Sequence, residues 1–248
     1  MKKLLAENED FKNIFTINYC FRDEPESQIH RPQFLMLEWY RRNSFYTDIM
    51  NDVEGLIKNI QEKMKTKIQI ANFERVTIKD LILEESNFNI LDFLSKEDLK
   101  QKIQKDFKDV PLPSVDCSWD DYYFLFFLNK IEPLLKNYPY LLLYEFPAPL
   151  SALSTLKKGN PKVCERFEVY LKGIELCNCF NELTDFDEQK ERFQKQVQEK
   201  KLIYDYELPW PGEFMNTLQA GYPKSSGIAL GIERLLHVLF DIQNPFYK

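Results

Sequence analysis

Residues 21–40, FRDEPESQIHRPQFLMLEWY, constrain this chain more than any other stretch, because a charged loop divides two apolar segments and the second carries a lone carboxylate. Side chains alternate along a strand, so Phe34, Met36, Glu38 and Tyr40 share one face while Leu35, Leu37 and Trp39 share the other. Glu38 then has apolar neighbours on both faces. A buried carboxylate takes a partner or a proton, so Glu38 is expected at the floor of a pocket, ready for a ligand ammonium group. If the strand is an edge strand instead, Glu38 is simply solvated.

Residues 166–183, RFEVYLKGIELCNCFNEL, read as two short strands about a turn at Lys172-Gly173, the glycine supplying a positive φ. That pairing sets Tyr170 opposite Glu175 and makes Glu168 the diagonal same-face neighbour of Glu175, with Cα atoms about 7–8 Å apart. Two converging carboxylates repel unless a cation lies between them, and the pair suits a hard, oxygen-seeking ion that keeps waters and binds phosphates, namely Mg²⁺. The alternative is two glutamates on a solvated hairpin face. In residues 225–240, SSGIALGIERLLHVLF, Gly227 and Gly231 bracket a short apolar strand, after which Glu233-Arg234 opens a helix. An arginine at such a junction can meet a phosphate and the glycines allow close approach, although glycines before a helix also serve packing.

Taken in order, these segments resemble motif 2, the metal-carboxylate strands and motif 3 of the class II aminoacyl-tRNA synthetases, lysine branch. FRDE, HRPQF and MLEWY resemble its motif 2, FEVYLKGIELCNCFNELTD its amino-acid and metal segment, and GIALGIER its motif 3. LEWYR, ERFEVYLKGIEL and Ala229 look most like the short elongation factor P lysine ligases, which lack an anticodon-binding domain. The tRNA-charging members usually carry glycine where Ala229 stands. The resemblance thins between residues 61 and 120, which are read as a variable helical insertion.

What the resemblance implies is an α+β fold, a class II synthetase-like antiparallel sheet flanked by helices, using ATP and Mg²⁺. Arg22 would grip the ATP α-phosphate and the substrate carboxylate, Glu24 would read the adenine amino group, His30 would assist at the phosphates and Phe34 would stack on adenine. Asp23, Arg31, Leu176 and Gly231 complete the nucleotide set. Glu168 and Glu175 would hold Mg²⁺, and Arg234 would neutralise the far end of the triphosphate; Arg22 and Arg234 are the catalytic pair. Glu38, Tyr40, Asn178, Glu182 and Ala229 would bind a lysine-like amino acid. Glu175 and Asn178 have opposite parity, so both face the pocket only if the chain bulges at Leu176-Cys177. The implied reaction activates lysine or β-lysine as an aminoacyl-adenylate and transfers it to an amine, a lysine of elongation factor P. The alternatives are a truncated lysyl-tRNA synthetase-like protein charging tRNA, or a non-catalytic ATP and amino-acid-binding module.

Several positions depart from the pattern. Arg31 stands where the family usually has an ATP-contacting Asn, Gln33 replaces Glu, Glu233 replaces the motif 3 Asp, and Cys177 and Cys179 replace small residues. Motif 1, which builds the family's dimer interface, and the Ser-Pro-Glu substrate segment have no counterpart in residues 1–248, so a homodimer is left open. MKKLL resembles the stretch just after that segment, so either an upstream start was missed or the front of the gene was lost.

Composition suits one domain with a sizeable core: 248 residues, 44% hydrophobic, with 20 Phe and 13 Tyr. Five cysteines without paired spacing read as reduced thiols of a cytoplasmic protein. The acidic residues close behind Lys2 and Lys3 exclude a signal-peptide core, and the apolar run at 122–128 is too short to span a bilayer. A net charge of −6, with no basic stripe, fits a small protein acceptor better than tRNA. Helical spacing is expected from Ile49 to Met64, at 76–85 with Thr77 as a cap, at 95–107 behind Ser95, and through the aromatic-rich 119–135; a strand is expected over 140–146, ended by Pro147.

Overall fold

Both segments that flank the charged loop form strands, and they pair with each other. The computed structural model describes residues 1–22 and 31–242. After helix α1 (Lys2–Glu7), β1 (Asn13–Phe21) and β2 (Gln33–Arg42) run antiparallel with Thr16 opposite Glu38. The expected amphipathic helix follows as α2 (Tyr46–Lys63), burying Ile49, Met50, Val53 and Ile57. Next come β3 (Glu74–Thr77), α3 (Ile78–Ser86), α4 (Lys96–Asp106) and α5 (Trp119–Phe126). α5 continues through a π-helical turn (Phe127–Ile131) into α6 (Glu132–Leu135). Strands β4 (Leu141–Tyr144), β5 (Arg166–Leu171) and β6 (Ile174–Asn181) precede α7 (Phe186–Tyr204), α8 (Gly212–Gln219), β7 (Ser225–Gly231) and α9 (Ile232–Phe240).

The strands form one seven-stranded sheet in the order β1-β2-β7-β6-β5-β4-β3. Every neighbouring pair is antiparallel except β3 and β4, which run parallel at the edge. The stretch 61–120 is therefore not wholly helical as the sequence suggested. The helix expected from residue 76 begins only at Ile78, because Val76 and Thr77 end a strand that extends the sheet; Thr77 then caps α3 by accepting from the Asp80 amide at 3.0 Å.

On one face of the sheet, Leu142, Phe167, Val169, Cys177, Cys179, Ile228 and Leu230 pack against α2 and against Leu235, Val238 and Leu239 of α9. In this near-continuous apolar layer Cys177 and Cys179 are buried and pack as small hydrophobes. Among the described residues, the opposite face is covered at its two ends. Helices α3, α4 and α5 bury Leu141, Leu143 and Tyr170 at one end. At the other, Leu5 of α1 joins Met215, Leu218 and Tyr222, with Ile14, Tyr40, Phe186 and Phe214 packed alongside. On the outer strand β1 the apolar cover stops: Phe15, Ile17, Tyr19 and Phe21, successive on one face, are 55–74% exposed.

Candidate active site

Between the two covered ends, strand register draws a line of side chains across the sheet. Glu38 lies opposite Ala229, Ala229 opposite Asn178, and Asn178 opposite Glu168. Directly opposed residues point to the same face, so four separate strands bring these four side chains to one row. The adjoining row runs Tyr40, Gly227, Phe180, Arg166. Only glycine fits at 227, since a Cβ there would lie 2.1 Å from the Tyr40 ring and 2.8 Å from a Glu182 oxygen.

The β5–β6 turn has Leu171 opposite Ile174, and both Lys172 (φ 49°) and Gly173 (φ 82°) take positive φ. Tyr170 faces Glu175 as the spacing predicts. Val169 then faces Cys177, which leaves Leu176 as the extra residue of a bulge. The bulge brings Glu175 and Asn178 into phase, as their parity required. It also changes the carboxylate geometry, because the cross-strand partner of Glu168 becomes Asn178.

Arg166, which the sequence reading passed over, organises this end. Nη2 donates to Glu168 Oε1 at 2.5 Å, Nε to Asn178 Oδ1 at 3.2 Å and Nη1 to the Leu150 carbonyl at 3.1 Å. Its guanidinium lies 4.6 Å from the Phe146 ring centroid and 5.4 Å from that of Phe180. Arg166, Glu168 and Tyr170 alternate on one strand, so the signal was present as simple parity. Tyr170 donates to Glu168 Oε2 at 2.6 Å, and the Asn178 amide donates to Glu168 Oε1 at 3.3 Å.

Glu168 thus receives three donors, while Glu175 lies partly buried beside Arg234. Arg234 Nη1 donates to the Glu175 carbonyl at 2.8 Å and stands 3.8 Å from its carboxylate. Burial, and then the charge of Glu168, push the Glu175 carboxyl up to about 7 against the opposing pull of Arg234 and Arg166. No group of three His, Cys, Asp or Glu side chains among the described residues could cage a metal alone. The donor set fits a cation that keeps waters and phosphate oxygens: a raised carboxylate needing a positive neighbour, beside a second with lone-pair capacity remaining.

At the other end of the rows Glu38 is half-buried rather than enclosed, because the face it shares is the open one. Glu182 is buried, and its Oε2 accepts from the ammonium of Lys2 at 2.5 Å. Burial raises its carboxyl while Lys2 opposes the shift. At the mouth of the charged loop the Arg22 guanidinium lies 5.4 Å over the Phe34 ring, and the Arg22 amide donates to the Pro32 carbonyl at 2.9 Å. Arg31 is half-buried nearby in sequence, while Asp23, Glu24 and His30 lie outside the described residues. Glu233, at the start of α9, accepts from the Leu35 amide at 2.8 Å through one oxygen. Its other oxygen is buried with no hydrogen-bond partner among the described residues.

Comparison with known proteins bears directly on this arrangement. The family model of class II tRNA synthetases (D, K and N) matches residues 1–244. The chain belongs to that family. Among curated proteins, this class II chain is 32% identical over 244 residues to the elongation factor P (R)-beta-lysine ligase of Proteus mirabilis, covering 98% of the chain and 71% of that protein. It is likewise 32% identical to the same-named ligase of Pectobacterium atrosepticum, over 95% of the chain and 69% of the relative. The lysine–tRNA ligase of Clostridium tetani is also 32% identical over 97% of the chain, but the match spans 49% of that protein. All three relatives are ligases by name. The class II strands therefore carry the rows described above, and no helix of the described residues is long and apolar enough to cross a membrane.

Proposed function

We propose that this chain activates a lysine-like amino acid with ATP, forming an aminoacyl-adenylate and pyrophosphate, and passes the aminoacyl group to an amine acceptor. The observation that carries the reading is the row Glu38–Ala229–Asn178–Glu168, with Glu175 and Arg234 beside its Glu168 end and Tyr40 and Glu182 beside its Glu38 end. Such a row has anionic groups for ammonium ions at one end and a carboxylate–arginine cluster for a metal and phosphates at the other.

In this reading Glu38, Tyr40, Asn178 and Glu182 orient the amino acid so that its carboxylate oxygen attacks the α-phosphorus while the bond to pyrophosphate breaks. The carboxylate is already ionised, so no general base is needed, and the protein's part is alignment and charge. Arg22 and Arg234 neutralise phosphate oxygens, and Phe34 offers an aromatic face to the base. Mg²⁺, when bound at Glu175 and Glu168, supplies charge on the triphosphate that two arginines alone do not. In the second step the acceptor amine attacks the carbonyl carbon and AMP leaves. A protein amine is favoured as acceptor over tRNA, since the net charge of −6 opposes a tRNA footprint. Pyrophosphate–ATP exchange dependent on lysine or β-lysine tests the activation step. Absence of exchange with every basic amino acid would leave a binding module.

A further inference from the structure

We propose that Lys2 is a specificity-determining residue whose own ammonium group fills the Glu182 end of the pocket, so that an amino acid with a distal ammonium must displace it or settle on Glu38. The inference rests on the assignment of Glu38, Tyr40 and Glu182 made above.

The contact is built rather than incidental. Glu182 has a side chain 3% exposed, and that of Lys2 is 17% exposed. The Lys2 ammonium lies 5.9 Å from the Tyr40 ring centroid and 5.0 Å from that of Phe214, both aromatic faces suited to a cation. Helix α1 is held in place by Leu5, fully buried with Met215, Leu218 and Tyr222, and by Lys3 pairing with Glu213 of α8 at 2.8 Å. The ammonium is therefore delivered by a docked helix.

Two carboxylates and one ammonium leave this end of the pocket with one negative charge, complementary to one ligand ammonium rather than two. Lys2 also competes from within the molecule, at an effective concentration fixed by the docked helix rather than by the solution. A ligand's apparent affinity falls by the fraction of molecules in which Glu182 is open.

Binding of L-lysine and of n-butylamine, measured by calorimetry without ATP, tests the proposal on the parent, Lys2→Met, and the double variant Lys2→Met/Glu182→Gln. Lys2→Met should bind both amines at least about tenfold more tightly than the parent, as expected if the pocket is closed in nine molecules of ten. Its lowered melting temperature should recover as amine is added, and the double variant should lose the gain. If Lys2→Met does not fold, Lys2→Gln keeps a hydrogen bond to Glu182 without the charge and serves the same comparison. Unchanged amine affinity in a folded Lys2 variant overturns the proposal and leaves Lys2 as a pin for α1. Because ATP is absent, a gain in amine binding supports the inference even where exchange activity fails.

Discussion

Arg166 holds a carboxylate, an amide and a carbonyl at once. Arg166→Lys keeps the charge but not the planar fork, so Asn178 loses the donor that fixes its amide and Glu168 one of its three. If activation occurs, KM for the amino acid should rise about tenfold with a smaller effect on the KM for ATP, read from pyrophosphate exchange. Arg22→Ala should instead lower kcat by about a hundred- to thousand-fold, the usual cost of removing a charge-assisted transition-state contact. Glu175 gives a pH test. Its carboxyl is raised from 4.5 to about 7, so the folded state holds that proton more tightly than the unfolded chain. Its contribution to stability is full below 4.5 and is lost as pH rises towards about 7. Without Mg²⁺, Glu175→Gln should flatten this part of the fall in melting temperature with pH, and Mg²⁺-dependent ATP binding should strengthen over the same interval in the parent only. An unchanged profile in the variant would remove the carboxylate pair from the metal argument. At this scale local pattern was enough to single out Glu168, Glu175 and Glu38, which strand register places on one face of the sheet. Arg166 was missed because an arginine at the head of a strand looks solvated until Phe146 and Phe180 flank it.

Elements were legible where one period dominates. Ile49, Val53 and Ile57 mark α2 unaided, and Ser95 and Thr77 cap their helices as read. Strand β3 escaped notice because four residues are too few for alternation to register, and its partner β4 lies far along the chain. The bulge at Leu176 answers the opposite parity of Glu175 and Asn178, which required a bend or bulge at Leu176-Cys177 if both were to share a face. Ser118 offers an element-scale test: its hydroxyl accepts from the Asp121 amide at 3.2 Å while the Ser118 amide donates to the Asp121 carboxylate at 2.9 Å. Ser118→Ala should destabilise the protein by about 1 kcal/mol in urea unfolding, without altering ligand binding.

At the scale of the whole molecule, the order of the sheet is what the sequence withheld. The site's row gathers Glu38, Ala229, Asn178 and Glu168 from strands whose spatial order does not follow the chain, and no local pattern encodes which strand inserts between which. The exposed stripe of Phe15, Ile17, Tyr19 and Phe21 gives a molecular-scale prediction: Phe15→Lys with Phe21→Lys should reduce concentration-dependent association in sedimentation while leaving amino-acid binding unchanged.

The position of β7 has a consequence in time. It lies between β2 and β6, yet it is synthesised after every other strand of the sheet. A nascent chain emerging at ~5–20 residues per second therefore holds β2 for roughly ten to forty seconds before its central neighbour exists. During that interval the β1–β2 hairpin is a two-stranded ribbon with both edges open, and neither the row of site residues nor the layer beneath α9 has formed. The row of site residues is incomplete until the last strand closes the sheet, so a ribosome-stalled chain ending before Ser225 should be cut rapidly by protease throughout β1 and β2.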